Sequence, residues 1–304
     1  MSALKLLRKA LMLALPLAAA LTLTSSKDTS PRYHYEVRRD LSVYFTNADS
    51  VIESVRSSLR SRSPRFIISY TSHGDNMEDM GLLVRELMEL ALSETDRADE
   101  GDYLACNMGG YSFEFGYDKN GRAYDYEITV TPELYTDAEQ ERRVTERVQE
   151  IVAGLGLREM DSGYEKARAV HGYLCENVGY DDIHKRNEHY HLKSTAYGAL
   201  INGHAVCQGY CAAAYRLLRE AGIECRVVTG LASIDGSEEY HAWNIVKIDG
   251  RWYNMDVTWD DQLDTDEFFL AGSQDFGDHH PDERFTTEEF MSTYPLSDKG
   301  YQEN

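Results

Sequence analysis

Three residues between Ser194 and Asp261 have the types and the chain order of a nucleophile, a base and an orienting acid: Cys207, His241 and Asp256. A thiol attacks an acyl carbon as its thiolate, and the ordinary thiol pKa of about 8.5 leaves little of that form at neutral pH. A helix N-terminus and a neighbouring imidazolium both favour the thiolate. Cys207 is placed for the first of these. Gly203-His204-Ala205-Val206 gives way there to a helical pattern from Gln208 to Arg219. The backbone N–H groups of such a first turn lack intrahelical partners and suit a developing oxyanion, so Cys207 and Gln208 are candidate supports for one. Tyr197, ten residues upstream of Cys207, is a candidate second donor.

The meeting of His241 and Asp256 follows from hairpin geometry. Tyr240 to Ile248 reads as a strand, Asp249-Gly250 is a preferred two-residue turn, and Arg251 to Thr258 reads as the return strand. With Ile248 opposite Arg251, Trp243 lies opposite Asp256 and His241 opposite Thr258. His241 and Asp256 then share a face as a diagonal pair, roughly 7–8 Å apart at Cα and closer at the side-chain tips. One imidazole nitrogen can donate to the carboxylate while the other faces a thiol. A change of one residue in the loop would put them on opposite faces. Trp243 and Trp259 flank the group and are candidate walls of a narrow substrate channel, with core packing as the alternative.

The elements that must position these groups form two regions. From Thr136 onward helices come first (Thr136–Gly154, Ser162–Asn177, then Cys207 to Gly222) and strands after (Cys225–Gly230, Tyr240–Ile248, Arg251–Thr258), an α+β order for residues 132–304. Residues 27–131 read as a smaller N-terminal α/β accessory domain. Its helices are expected over Asp49–Leu59 and Met77–Leu92, its strands over Arg65–Tyr70, Tyr111–Tyr117 and Tyr124–Val130, with a hairpin turn at Asp118-Lys119-Asn120-Gly121.

Residues 1–26 read as an export signal: Lys5, Arg8 and Lys9 precede an apolar run from Ala10 to Leu23, and Ala18-Ala19-Ala20 offers small residues for cleavage. The run falls short of the roughly 18–20 residues of a spanning helix, and no later segment reaches that length, so an extracytoplasmic chain with no transmembrane span after processing is expected, an uncleaved anchor being the alternative. In the 304 residues, 31 Lys and Arg stand against 52 Asp and Glu, a net charge of −21. That balance argues against nucleic acid as a partner, since phosphate contacts need clustered basic residues.

Other groupings carry weaker chemistry. Cys207, Cys211 and Cys225 with His204 could be read as a zinc set, but the paired Cys-x-x-Cys knuckles of structural sites are absent. Asp256, Asp260, Asp261, Asp264, Asp266 and Glu267 form an acidic run whose spacing does not match a calcium-binding helix–loop–helix, and a solvated surface is the expected reading. His184, His189 and His191 read as a polar loop. No metal or other cofactor is expected. The five cysteines are an odd number, so at least one thiol stays outside any intramolecular pairing.

Several stretches together resemble the transglutaminase-like superfamily, most closely its bacterial extracellular members. They are Tyr197-Gly198-Ala199-Leu200, Gly203-His204-Ala205-Val206-Cys207-Gln208-Gly209-Tyr210, Gly222-Ile223, His241-Ala242-Trp243-Asn244, and Trp252-Tyr253-Asn254-Met255-Asp256-Val257-Thr258-Trp259-Asp260-Asp261. Gly179-Tyr180-Asp181, Phe268-Phe269-Leu270 and His279-His280 add weaker matches. The resemblance covers about residues 140–285. It implies a papain-like core of helices packed on an antiparallel sheet, with a Cys–His–Asp triad mapping onto Cys207, His241 and Asp256. It also implies acyl-enzyme chemistry on protein or peptide amides: glutamine crosslinking, deamidation or peptide hydrolysis. Members lacking the triad serve as scaffolds, so a non-catalytic binding module is the alternative from a different class.

Overall fold

The computed structural model describes residues 41, 44, 45, 47–234 and 237–302. The expected export signal over residues 1–26 lies outside the described residues. Among the described residues no helix is long and apolar enough to cross a membrane. The chain divides into two compact units. The first comprises the described residues up to Glu94 together with Met108–Leu134; the second comprises Thr95–Asn107 and the chain from Tyr135 onward.

The first unit holds helix α1 (Ala48–Arg60), strand β1 (Phe66–Ser72), helix α2 (Met80–Ala91) and strands β2 (Met108–Asn120) and β3 (Ala123–Leu134). Asn47 caps α1 by accepting from the Ser50 N–H at 3.1 Å. The tight turn after Asn120 uses Gly121 at φ 64°, a conformation that favours glycine. It makes β2 and β3 an antiparallel hairpin, and β1 pairs with β3 antiparallel as well, giving the order β1-β3-β2. The unit thus combines helices with an antiparallel sheet, and it contains the hairpin expected between β2 and β3. Alternation along β3 buries Tyr126, Ile128 and Val130 on one face.

The second unit opens with the short helix α3 (Asp102–Cys106), which lies in sequence within the expected N-terminal domain of residues 27–131. Its membership has visible causes. Asp102 accepts from the Arg226 guanidinium at 2.7 and 3.1 Å and from the Val227 N–H at 2.8 Å, and Tyr103 is fully buried in the core of this unit. Helices α4 (Ala138–Gly154) and α5 (Gly163–Asn177) follow; Asp137 and Gln140 close a reciprocal capping box on α4. Then come the short parallel pair β4 (Gly179–Tyr180) and β5 (His204–Ala205), and helix α6 (Cys207–Glu220). The run Gly209–Leu218 of α6 is buried on every side, so this is the central helix of the unit. A fully buried leucine such as Leu217 contributes on the order of 2 kcal/mol from removal of its apolar surface from water.

Strands β6 (Cys225–Ile234), β7 (Ser237–Ile248), β8 (Arg251–Met255) and β9 (His279–Pro281) form one antiparallel sheet in the order β8-β7-β6-β9. Helices α7 (Val257–Leu263) and α8 (Glu288–Thr293) complete the unit. Helices thus pack on an antiparallel sheet, as expected for this part of the chain. The β7–β8 register has Ile248 opposite Arg251, the pairing argued from Asp249-Gly250. The return strand, however, ends at Met255, where a run to Thr258 was expected. Asp256 accepts from the Thr258 and Trp259 N–H groups at 3.1 and 3.2 Å and so starts α7, the alternative that a capping Asp offers the backbone.

Candidate active site

Cys207 is the first residue of α6, and Val206 ahead of it is extended (φ −92°, ψ 176°). The Gly209 and Tyr210 N–H groups both donate to the Val206 carbonyl, at 2.8 and 3.2 Å. Among the described residues no carbonyl takes the Cys207 N–H. The segment ahead is held by neighbours: Val206 donates to the Lys193 carbonyl and Asp181 to the Ala205 carbonyl, each at 2.9 Å. Gly209 has no room for a side chain, since a Cβ there would lie 2.7 Å from the Lys193 carbonyl oxygen. Cys207 remains partly exposed.

His241 enters from β7. Asn244, three residues on, donates to the carbonyls of Cys211 on α6 and Arg226 on β6, at 3.3 and 3.2 Å, and so ties the Cys207 helix to the His241 strand. The His241 Nε2 lies 2.6 Å from Asp256 Oδ2. Burial alone would drive the fully enclosed Asp256 toward its neutral form. The His241 charge and the hydrogen bonds from His241 and His279 overcome it and bring its pKa down to about 2. An ionised carboxylate only accepts, so His241 Nε2 carries a proton and Nδ1 is the nitrogen left to serve the thiol. Burial likewise works against a charged His241, yet the Asp256 charge and then Cys207 raise its pKa well above the ordinary value, and a hydrogen bond with Cys207 contributes. The structure therefore joins His241 to Asp256 by a hydrogen bond and sets Cys207 close enough to His241 to raise its pKa.

The other candidates fall into different places. Gln208 donates through its side chain to the Cys106 carbonyl at 2.7 Å, anchoring α3 to the start of α6. The Tyr197 hydroxyl accepts from Arg143, whose guanidinium also lies over the Tyr197 ring at 5.2 Å. Trp243 and Trp259 are 1% and 2% exposed, so they present their surfaces to imidazoles rather than to solvent. Trp259 stacks on His241 at 5.2 Å and meets His279 at 4.2 Å, and Trp243 lies edge-on to His279 at 5.0 Å. Tyr180, paired through β4 with Ala205, is half-buried; burial raises its phenol, and the charge of Cys207 adds to the shift.

In sequence His279 belongs only to a weak match, yet its Nε2 lies 3.1 Å from the same Asp256 Oδ2. The acidic run divides: Asp264, Asp266 and Glu267 are exposed, as expected of a solvated surface, while its first members are not. Asp256 and Asp260 are buried, His171 bonds Asp260 at 2.8 Å, Tyr210 donates to Asp261 at 2.7 Å, and Arg168 holds Asp266 with both terminal nitrogens at 2.8 and 2.6 Å. His184 bonds Asp181 at 2.9 Å, and Lys193 gathers the surrounding loop by donating to the carbonyls of His184, Lys185 and Asn187.

The ligand atoms of His241, Asp256 and His279 lie within 4.8 Å of one another, close enough to ask whether they suit a metal. Two tetrahedral ligands at about 2.0–2.1 Å from zinc stand roughly 3.3 Å apart. The 2.6 Å His241–Asp256 separation is a hydrogen bond and too short for that, so the set fits shared protons better than a metal.

The transglutaminase-like superfamily model matches residues 149–257, the span that holds α5, α6, the β6–β8 strands and all three aligned groups. Over those residues the chain is transglutaminase-like. Kyphoscoliosis peptidase of Homo sapiens is 25% identical over 220 residues, covering 65% of this chain and 32% of its own length. The Mus musculus protein of the same name is 26% identical over 214 residues, with the same coverage. The chain thus spans about a third of the length of these curated relatives. A solved structure described as a TGase aligns with a TM-score of 0.36 and 16% identity, over 66% of this chain and 57% of that one. Within the transglutaminase-like domain, Cys207 opens the buried helix, and His241 and Asp256 come from the strand that packs on it and from the cap that follows.

Proposed function

We propose that this transglutaminase-like domain is a cysteine enzyme that forms a thioester with the acyl group of protein or peptide amides. The observation that carries the reading is the 2.6 Å His241–Asp256 bond beside a cysteine at the start of a buried helix. Cys207 is the nucleophile. Its sulfur bonds to the amide carbon, and the oxyanion that forms is met by the Cys207 N–H. The C–N bond then breaks, and the His241 Nδ1 proton goes to the departing amine, leaving the thioester. Water or a second amine attacks next, giving its proton back to Nδ1, and the thiolate leaves. Asp256 keeps the ring oriented and stabilises its charge throughout. The domain acts outside the cytoplasm, on the reading of residues 1–26 as an export signal.

Transfer to an amine and transfer to water share every one of these residues. The name of the curated relatives, a peptidase, favours peptide hydrolysis as the second reading. A glutamine-containing peptide incubated with and without a primary amine separates the outcomes: amine incorporation marks transfer, free ammonia deamidation, and a cleaved backbone hydrolysis. The Cys207→Ala chain is expected to lose turnover by a factor on the order of 10³ or more. Full turnover by that variant would remove Cys207 from the chemistry and leave a binding module as the better reading.

A further inference from the structure

The Asp256 carboxylate has two imidazole partners where the reaction uses one. Oδ1 accepts from the Thr258 and Trp259 N–H groups, and Oδ2 accepts from His241 at 2.6 Å and from His279 at 3.1 Å. We infer that His279 is a positioning residue of this site, whose Nε2–H holds the plane of the Asp256 carboxylate so that Oδ2 meets His241. The inference rests on the triad reading above and adds to it a fourth group that acts through Asp256 alone.

The surroundings make His279 a fixed donor. Its side chain has no solvent exposure. Phe276 stacks on the ring at 3.8 Å and 19°, Trp259 lies at 4.2 Å, and Trp243 closes the edge at 5.0 Å. Among the described residues its Nδ1 has no hydrogen-bond partner. A ring with one buried bare nitrogen and the other nitrogen against a carboxylate is a neutral Nε2–H tautomer. Burial, opposed by Asp256, lowers its pKa in agreement with that. A neutral donor orients the carboxylate without cancelling the charge that His241 needs.

The backbone serves the same arrangement. His241 and His279 sit on the two strands that flank β6: Gly230 of β6 pairs with His241 and Ala232 pairs with His279. Both imidazoles are therefore held at set distances from one strand, and the carboxylate lies between them.

The test reads Cys207 directly and needs no substrate. Iodoacetamide alkylation of Cys207 in the full chain near neutral pH is followed by mass spectrometry, in the unsubstituted protein and in two variants. His279→Gln keeps an N–H near the position of Nε2 and loses the ring; His279→Phe keeps a ring in the aromatic box and loses the donor. If His279 positions Asp256, the Gln variant stays within about threefold of the unsubstituted rate and the Phe variant falls about tenfold, even where Phe has the higher melting temperature. Equal rates in the two variants, or Phe ahead of Gln, overturn the inference. An unsubstituted Cys207 no more reactive than a thiol in an unstructured peptide is a separate result: it sinks the enzyme reading itself. Histidine ¹⁵N spectra of the unsubstituted chain decide independently of how either variant folds. A neutral ring protonated at Nε2 is the expected result, and a proton on Nδ1 or a charged ring overturns the inference.

Discussion

At the residue scale two Cys–His–Asp groupings stand among the described residues of the domain, and their geometry and surroundings tell them apart. Cys175, His171 and Asp260 repeat the types of Cys207, His241 and Asp256. The Cys175 sulfur lies 3.9 and 4.0 Å from the two ring nitrogens of His171, so it is nearly equidistant from both rather than bonded closely to one. Burial and then the charges of Asp261 and Asp260 push the Cys175 thiol up to about 12. Alkylation near neutral pH is therefore expected at Cys207 and not at Cys175, and Cys175→Ser is expected to leave the rate unchanged. The pH behaviour of the site follows from the two shifts. Asp256, depressed to about 2, stabilises the fold at pH above its unfolded value near 4 and loses that contribution as pH falls through about 2. The contribution is of the order of 2 kcal/mol. Asp256→Asn is expected to be less stable than the unsubstituted chain at pH 6, with the gap closing between pH about 4 and about 2, as thermal melts can read. His241 is raised, so its contribution is complete below about 6.5 and fades as pH climbs through the folded value. The alkaline limb of activity is expected to move to lower pH in Asp256→Asn.

At the element scale two glycines decide whether the strands deliver these groups. Gly250 at φ 80° follows Asp249 at φ 49° in the β7–β8 turn, the positive pair that a two-residue hairpin loop requires. One residue inserted there is expected to abolish Cys207 alkylation selectivity, because it turns Asp256 to the opposite face. Gly230 has an ordinary backbone and a different constraint: a Cβ on it would lie 2.1 Å from the His280 carbonyl oxygen and 2.8 Å from the Pro281 Cα. Gly230→Ala is expected to cost about 1–3 kcal/mol through overpacking and to push β9, with His279, off β6. A denaturant melt reads the first effect and the His279 ¹⁵N signals the second. An unshifted midpoint would contradict the close β6–β9 approach.

At the scale of the whole molecule the second unit is discontinuous in sequence. Its core includes Tyr103 from the Thr95–Asn107 insert, and Arg216 of α6 lies over that ring at 4.8 Å. A fragment beginning at Tyr135 removes Tyr103, the Asp102–Arg226 pair and the carbonyl that receives Gln208. It is expected to melt below the full chain or to aggregate, in spite of carrying Cys207, His241 and Asp256 together. Equal melting temperatures for fragment and full chain would show that the insert contributes nothing to the second unit.

What the sequence determined on its own is local. Helix α6 beginning at Cys207, the Asp249-Gly250 turn and the pairing of Ile248 with Arg251 all follow from spacing and turn chemistry among near neighbours. So does the meeting of His241 with Asp256, although the strand ends sooner than its pattern suggests. The tertiary structure decided the rest. His279 reaches Asp256 across 23 residues, Asp260 of the acidic run is buried against His171, the two tryptophans enclose imidazoles, and residues 95–107 join the second unit. Each of these depends on which distant groups exclude water from a side chain. Desolvation and hydrogen-bond partners belong to neighbours in space, which residue order does not specify.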